Sequence, residues 1–210
     1  MSAPAMIASD RPAAVHISTM TGKLIGLQAI NTNTLTNMFC STMRATDSIC
    51  GVCYSRAMLQ GSRENCAPSF ERNSVLLSAA LIPVDRLPVI NAAIFRFHGH
   101  GELINSIHLE NFYRIAERNP ATTFSLWTKR RDIVRNGRAT PPVNFILIYS
   151  NPSLSKLMRA PPPRFHKVFN NVAAEFTGAA NCSGQRCMDC QLCYRRGGVD
   201  VIVEHVKKRS

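Results

Sequence analysis

The chain has 210 residues, a formal net charge of +12 and eight cysteines. That length suits one domain with a proper core, and the longest apolar run, Phe145-Ile-Leu-Ile-Tyr149, falls far short of the ~20 apolar residues a membrane span needs. No basic segment leads into an apolar one near the start, so no secretory signal is read and a cytoplasmic protein without membrane contact is expected.

Residues 1–14 read as a flexible tail and 15–210 as a single α/β domain. Residues 15–30 read as strand with a Thr21-Gly22 turn, and a polar loop over 31–37 leads to the first cysteines. A short helix is expected after Cys53, and Ser69 is placed to cap another that runs to about Leu81 and stops at Pro83. Strands and helices then alternate. Strand is expected at 94–98, helix from Asn105 or Ser106 to about Arg118, strand at 122–127, a short helix over 129–135 and an apolar strand at 143–149. A helix opened by Asn151-Pro152 follows, then strands at 165–172 and 199–206. This alternation predicts a mostly parallel sheet, either open or curled into a partial (β/α) TIM-like barrel. The strand ends are polar: His98-Gly-His100 with Glu102, Thr128-Lys129, Ser150-Asn151 and Asn170-Asn171. In a parallel sheet these ends share one rim, where sites form, and this favours the barrel.

The cysteines fall into two Cys-rich segments, 40–66 and 182–193, the metal-binding loops of the expected fold. The second has the spacing Cys182-x4-Cys187-x2-Cys190-x2-Cys193, with Arg186, Arg195 and Arg196 beside it. Zinc sites use C-x2-C pairs separated by a longer loop, whereas a run of cysteines at x2 spacing is closer to iron–sulfur ferredoxins. The first segment, Cys40-x9-Cys50-x2-Cys53-x12-Cys66, is looser, and only Cys50 and Cys53 have metal-ligand spacing. Three ligands on a cubane leave one iron open, while four close the site. Disulfides are the poorer reading, because disulfide-dense chains are short and secreted.

The loop His98-Gly-His-Gly-Glu102 follows a strand directly. His98, His100 and Glu102 are candidate acid–base or metal groups, and Gly99 and Gly101 would let backbone come close to a ligand. The plainer reading is a glycine turn with solvated histidines. His108 and Glu110 read as surface, and His166 as a satisfied core histidine. The run Thr128-Lys-Arg-Arg131, with Arg135 and Arg138, is the densest basic patch. It can hold phosphates, with Trp127 beside it to stack on a base, or it is a solvated helix face. An acidic host protein is the other partner that the net charge fits.

Taken in order, Cys50-x2-Cys53-Tyr54, Glu71-Arg-Asn73, Phe95-Arg-Phe-His98 with Gly101-Glu102, Trp127-Thr-Lys129, and Cys187-x2-Cys190-x2-Cys193-Tyr194 running into Val201-Ile-Val-Glu-His205 resemble the gene-product-88 family of phage-encoded proteins. The resemblance covers most of the chain from about residue 18. That family looks like a distant relative of the radical S-adenosylmethionine partial-barrel enzymes. The resemblance implies a 4Fe–4S cluster on Cys40, Cys50 and Cys53, with Gly99, Gly101, Glu102 and Lys129 toward S-adenosylmethionine. It also implies an auxiliary cluster on the C-terminal four cysteines. Two functions are therefore expected as alternatives: an iron–sulfur enzyme, radical or redox, and a zinc- or cluster-stabilised module that binds nucleic acid or a host protein without catalysis. A reversible iron–sulfur sensor is a third.

Overall fold

A computed structural model describes residues 14–206, so the expected N-terminal tail lies almost wholly outside the described residues. The strands are β1 (Ser18–Thr19), β2 (Gln28–Ile30), β3 (Ile94–Phe97), β4 (Thr123–Thr128), β5 (Phe145–Ser150), β6 (Lys167–Val172) and β7 (Val201–His205). They form one seven-stranded sheet in sequence order. The β1–β2 pair is antiparallel and every later pair is parallel. The helices are α1 (Met38–Arg44), α2 (Tyr54–Leu59), α3 (Ala67–Ala79), α4 (Ser106–Arg118), α5 (Arg131–Asn136) and α6 (Cys187–Cys190). No helix among the described residues is long and apolar enough to cross a membrane.

The sheet is not flat. Neighbouring strands lie about 4.8 Å apart, so five spacings would put β2 and β7 roughly 24 Å from one another in a plane. Yet Lys23, in the 3-10 turn Gly22–Leu24 between β1 and β2, forms an ion pair with Glu204 on β7. Two side chains cannot span that gap unless the sheet curls. Among the described residues neither β1 nor β2 pairs with β7, so the curl stops short of a hydrogen-bonded barrel.

Alternation along the strands gives the sheet two apolar faces. Phe95, Phe97, Phe124, Leu126, Phe145 and Leu147 point to the face covered by helices, where Leu77, Leu109, Phe112 and Ile115 meet them. Ala29, Ile94, Trp127, Ile146, Ile148 and Ile202 point to the other face. Among the described residues, no apolar side chain of α1 to α5 belongs to the cluster on that inner face. It is covered by the second cysteine segment, through Cys182, Cys187, Met188, Cys193 and Tyr194.

The expected α4 is present, capped by the Asn105 side chain, which accepts from the His108 amide at 2.9 Å. The helix expected after Asn151-Pro152 is absent: residues 151–160 are irregular. Asn151 takes the local backbone groups instead. Its Oδ1 accepts from the Ser153 amide at 3.1 Å, and its Nδ2 donates to the Lys156 carbonyl at 2.7 Å and to Asn170 Oδ1 at 2.8 Å. Side-chain bonds of this kind compete with the helical ladder. His108 is fully buried in α4, not on the surface as expected, because it shares a face with Phe112 one turn on.

Phe97 is fully buried and stacks on Phe112 at 4.0 Å and on Phe124 at 5.2 Å between ring centroids. Truncation there leaves a cavity that rigid neighbours cannot fill. Phe97→Ala is expected to lose about 3–5 kcal/mol in urea unfolding, with the cooperativity of the transition unchanged.

Candidate functional site

The first thiol group stands at the rim formed by the strand ends. Cys40 lies in α1, which starts at Asn37. The Asn37 Oδ1 accepts from the Cys40 amide at 3.2 Å, and its Nδ2 donates to the Glu102 carbonyl at 3.0 Å. Cys50 sits in the 3-10 turn Ile49–Val52, where Ser48 Oγ accepts from its amide at 3.2 Å. The neighbouring Ile49 amide donates to the Pro152 carbonyl, after β5, at 2.9 Å. Cys53 precedes α2, whose Tyr54 hydroxyl donates to the Gly99 carbonyl at 2.5 Å. Ser55 Oγ bonds His100 Nδ1 at 2.9 Å. Each cysteine is thus fastened through its neighbours to loops that follow β3 or β5.

Glu102 and Lys129 lie beside these thiols. Glu102 is buried and accepts from the Thr128 hydroxyl and, at 2.8 Å each, from the amides of Lys129 and Leu103. Burial raises its carboxyl above the ordinary value against the pull of Lys129. Lys129 Nζ donates to Ser150 Oγ at 3.1 Å. Burial opposes its charge, but Cys50, Glu102, Cys40 and Cys53 outweigh that and hold it protonated. Burial pushes the Cys40 thiol up to about 12, with Glu102 and Cys53 adding and Lys129 opposing. Burial raises the Cys50 thiol as well, again against Lys129. Cys66 ends the 3-10 turn Glu64–Cys66 just before α3, and its Sγ donates to Asn65 Oδ1 at 3.7 Å.

The second segment is pinned at one end to the edge strand β7 and at the other to the central strand β4. The Cys182 amide donates to the Val203 carbonyl at 3.0 Å, extending the sheet beyond β7. At the other end Ser125 Oγ, on β4, donates to the Cys193 carbonyl at 2.5 Å. Lys23 Nζ lies 4.0 Å from Cys182 Sγ, and Glu204 accepts from that thiol at 3.8 Å. Burial raises Cys182, Cys187 and Cys193, the last to about 12. Arg96 and Lys23 oppose this at Cys187. At Cys193, Arg96 opposes the added push of Cys182, Cys187 and Cys190. Among the described residues no three His, Cys, Asp or Glu side chains stand in the geometry of one bound metal ion. A tetrahedral zinc with Zn–S bonds of 2.3 Å would need sulfurs about 3.8 Å apart.

The glycine loop serves the fold. A side chain at Gly99 would strike Met20 and Asn31, and one at Gly101, where φ is +99°, would strike the Thr32 backbone. The close approach that these glycines allow is to the chain's own loop. His98 is buried with φ +62°, and among the described residues neither of its ring nitrogens has a hydrogen bond of normal geometry. Its ring meets His108 edge to face at 5.2 Å. His166 is satisfied, its Nδ1 accepting from the Leu147 amide at 2.9 Å, but it is half-buried and not in the core. The basic patch is largely engaged within the fold. Arg130 pairs with Asp132 and donates to the carbonyls of Leu103 and Ile104, Arg131 lies over Tyr149, and Arg138 pairs with Glu117 and Glu110. Trp127 is buried beneath Arg96.

Asn37, Lys23 and Arg96 matter to this geometry and carry no motif. For Arg96 the signal was a charged residue at an inward position of the otherwise apolar strand Ile94–Phe97. For Asn37 it was a capping residue three before Cys40.

A curled α/β sheet with two thiol groups, one on the rim and one across the inner face, defines the class. The family model described as gene product 88 matches residues 7–185, and the chain belongs to that family. The match takes in the first thiol group, Glu102, Lys129 and Cys182, while Cys187, Cys190 and Cys193 follow it. No curated protein and no solved structure matches the chain, and the likeness to radical S-adenosylmethionine enzymes finds no support there.

Burial lowers His98 from 6.5 to about 3 and His100 to about 4, and takes His108 well below 6.5. The unfolded chain therefore binds more protons than the folded one between pH 6.5 and about 4. Stability is fully present above pH 6.5 and falls as pH is lowered through that window, by about 1.4 kcal/mol per unit for each such group. Glu102, shifted up, works in the opposite direction. Calorimetry from pH 7.5 down to about 4.5 should show a falling Tm, with a shallower slope in His98→Gln. A flat profile would mean that these rings are hydrated.

Proposed function

We propose that the protein is an iron–sulfur protein of redox function built on a partial barrel. Cys40, Cys50 and Cys53 hold one cluster at the rim, with an iron left open. Cys182, Cys187, Cys190 and Cys193 hold a second cluster against the inner face. The observation that carries this reading is that thiols gather in two places, each facing a basic side chain: Lys129 for the first, Arg96 and Lys23 for the second. A cubane takes one cysteine per iron, so its ligands stand wider apart than those of a single ion. The sequence run Cys187-x2-Cys190-x2-Cys193 supports that donor set over the paired C-x2-C of a zinc site. Bound there, such a cluster supplies one-electron chemistry. The chain's own part is to hold the thiolates, to balance their charge with Lys129, and to fix the rim through Asn37, Tyr54 and Glu102.

S-adenosylmethionine fits less well. The oxygens of Glu102 are taken by Thr128, Lys129 and Leu103, and Gly99 and Gly101 are closed by Asn31, Met20 and Thr32. No step through that cofactor is derived. The sheet's curl, with its ends joined by Lys23 and Glu204, supports the partial-barrel reading. The nucleic-acid module is the weaker alternative, because Arg130, Arg131 and Arg138 are already engaged.

Anaerobic purification and reconstitution test the proposal. Brown protein is expected, absorbing near about 400 nm with roughly four to eight irons and matching sulfide per chain. Colourless protein that carries only zinc would refute it.

A further inference from the structure

Lys23 and Cys182 stand 159 residues apart in the chain and meet in the fold, where Lys23 Nζ donates to Cys182 Sγ at 4.0 Å. Glu204 on β7 touches both. It pairs with the Lys23 ammonium and accepts from the Cys182 thiol at 3.8 Å. Among the described residues no other lysine nitrogen donates to a cysteine sulfur.

The backbone behind each side chain is held. Lys23 sits in the 3-10 turn Gly22–Leu24, closed by the Leu24 amide on the Thr21 carbonyl at 3.2 Å and the Ile25 amide on the Gly22 carbonyl at 3.0 Å. The Cys182 amide donates to the Val203 carbonyl at 3.0 Å. Asn181 beside it donates to the Val201 carbonyl and accepts from the Val203 amide, both at 2.9 Å. The amine and the thiol are therefore kept together by the fold, and reaction between groups held in this way is strongly favoured. All three side chains are half-buried, so a small oxidant reaches them from solvent.

We propose that Lys23 and Cys182 are a modification site, joined by a covalent N–O–S bridge when the iron-free chain meets dioxygen. Oxidised thiol sulfur is open to capture by a neighbouring nitrogen. The ammonium first passes its extra proton to Glu204, the carboxylate in contact with it. One N–H bond, the S–H bond and the dioxygen bond then break, an N–O and an S–O bond form, and the second oxygen leaves as water with the two hydrogens. Nitrogen and sulfur each lose two electrons, and dioxygen takes up all four. An oxygen bridge spans more of the 4.0 Å gap than a direct nitrogen–sulfur bond, so it asks for less movement. The bridge ties the turn between β1 and β2 to the edge of β7 and locks the curl of the sheet. It stands apart from the iron–sulfur reading, because it concerns the chain with no iron on Cys182.

The test is tryptic peptide mass spectrometry, without reductant, of full-length protein purified with a chelator and then held in air or under argon. The product expected in air joins the peptide that contains Lys23 to the one that contains Cys182. In it Lys23 is uncut, one oxygen is gained and two hydrogens are lost. It should be absent under argon and lost on treatment with dithiothreitol. Lys23→Arg, which keeps a cation beside Glu204, and Cys182→Ser should each abolish it. If either variant does not fold, the argon and dithiothreitol arms on the parent chain carry the same contrast. Lys23 cut normally in air would overturn the proposal, with Cys182 recovered as a free thiol, a sulfinic acid or a disulfide with another cysteine. A link that lacks the oxygen would overturn it as well.

Discussion

The curl of the sheet is the constraint on which the other features depend. It is visible in one contact, the ion pair between Lys23 at one edge of the sheet and Glu204 at the other. The pair is half-buried, and its worth as free energy is not what gives it weight. Its importance is geometric, because it brings the first strands and the last strand to the same thiol, Cys182. The concave face carries the second apolar cluster of the fold. The second cysteine segment lies over that face, running from the edge of β7 to β4, and packs in one cluster with Trp127 beneath Arg96.

The parallel order accounts for the first group. All strands from β2 to β7 run in one direction, so their following loops emerge on one rim. Asn37, Ile49 and Tyr54 then need only short bonds to Glu102, Pro152 and Gly99 to bring three cysteines to the same place. Half-buried sulfhydryls raise one another's pKa and stay protonated unless a cation is near. Lys129 at one site and Arg96 at the other oppose that rise without outweighing burial, and Cys50 and Cys193 stay raised.

Much of the strand and helix order was legible because periodicity and caps carry it: the alternation of Ile94–Phe97 and the Asn105 cap of α4 are local signals. The spacing of Cys187, Cys190 and Cys193 was legible for the same reason. Three features depend on distant partners and were not. Asn151 and Asn170 replace a helix with side-chain bonds. His108 turns inward because of Phe112 and His98. Glu102 was read as a cofactor ligand, and in the fold its oxygens serve Thr128 and two amides, an arrangement that only the β3–β4 register could reveal. Cys66 reads by sequence as either a ligand or a bystander, and in the fold it ends the 3-10 turn Glu64–Cys66.

The central claim is that seven of the eight cysteines serve two sites and that Cys66 serves neither. Alkylation of anaerobically purified, iron-loaded protein, mapped by peptide mass spectrometry before and after chelation, tests it most directly. The account predicts that Cys66 is labelled at once and that the other seven become reactive only when iron is removed. Equal labelling of all eight with iron bound, or protection of Cys66 together with the rest, would contradict it.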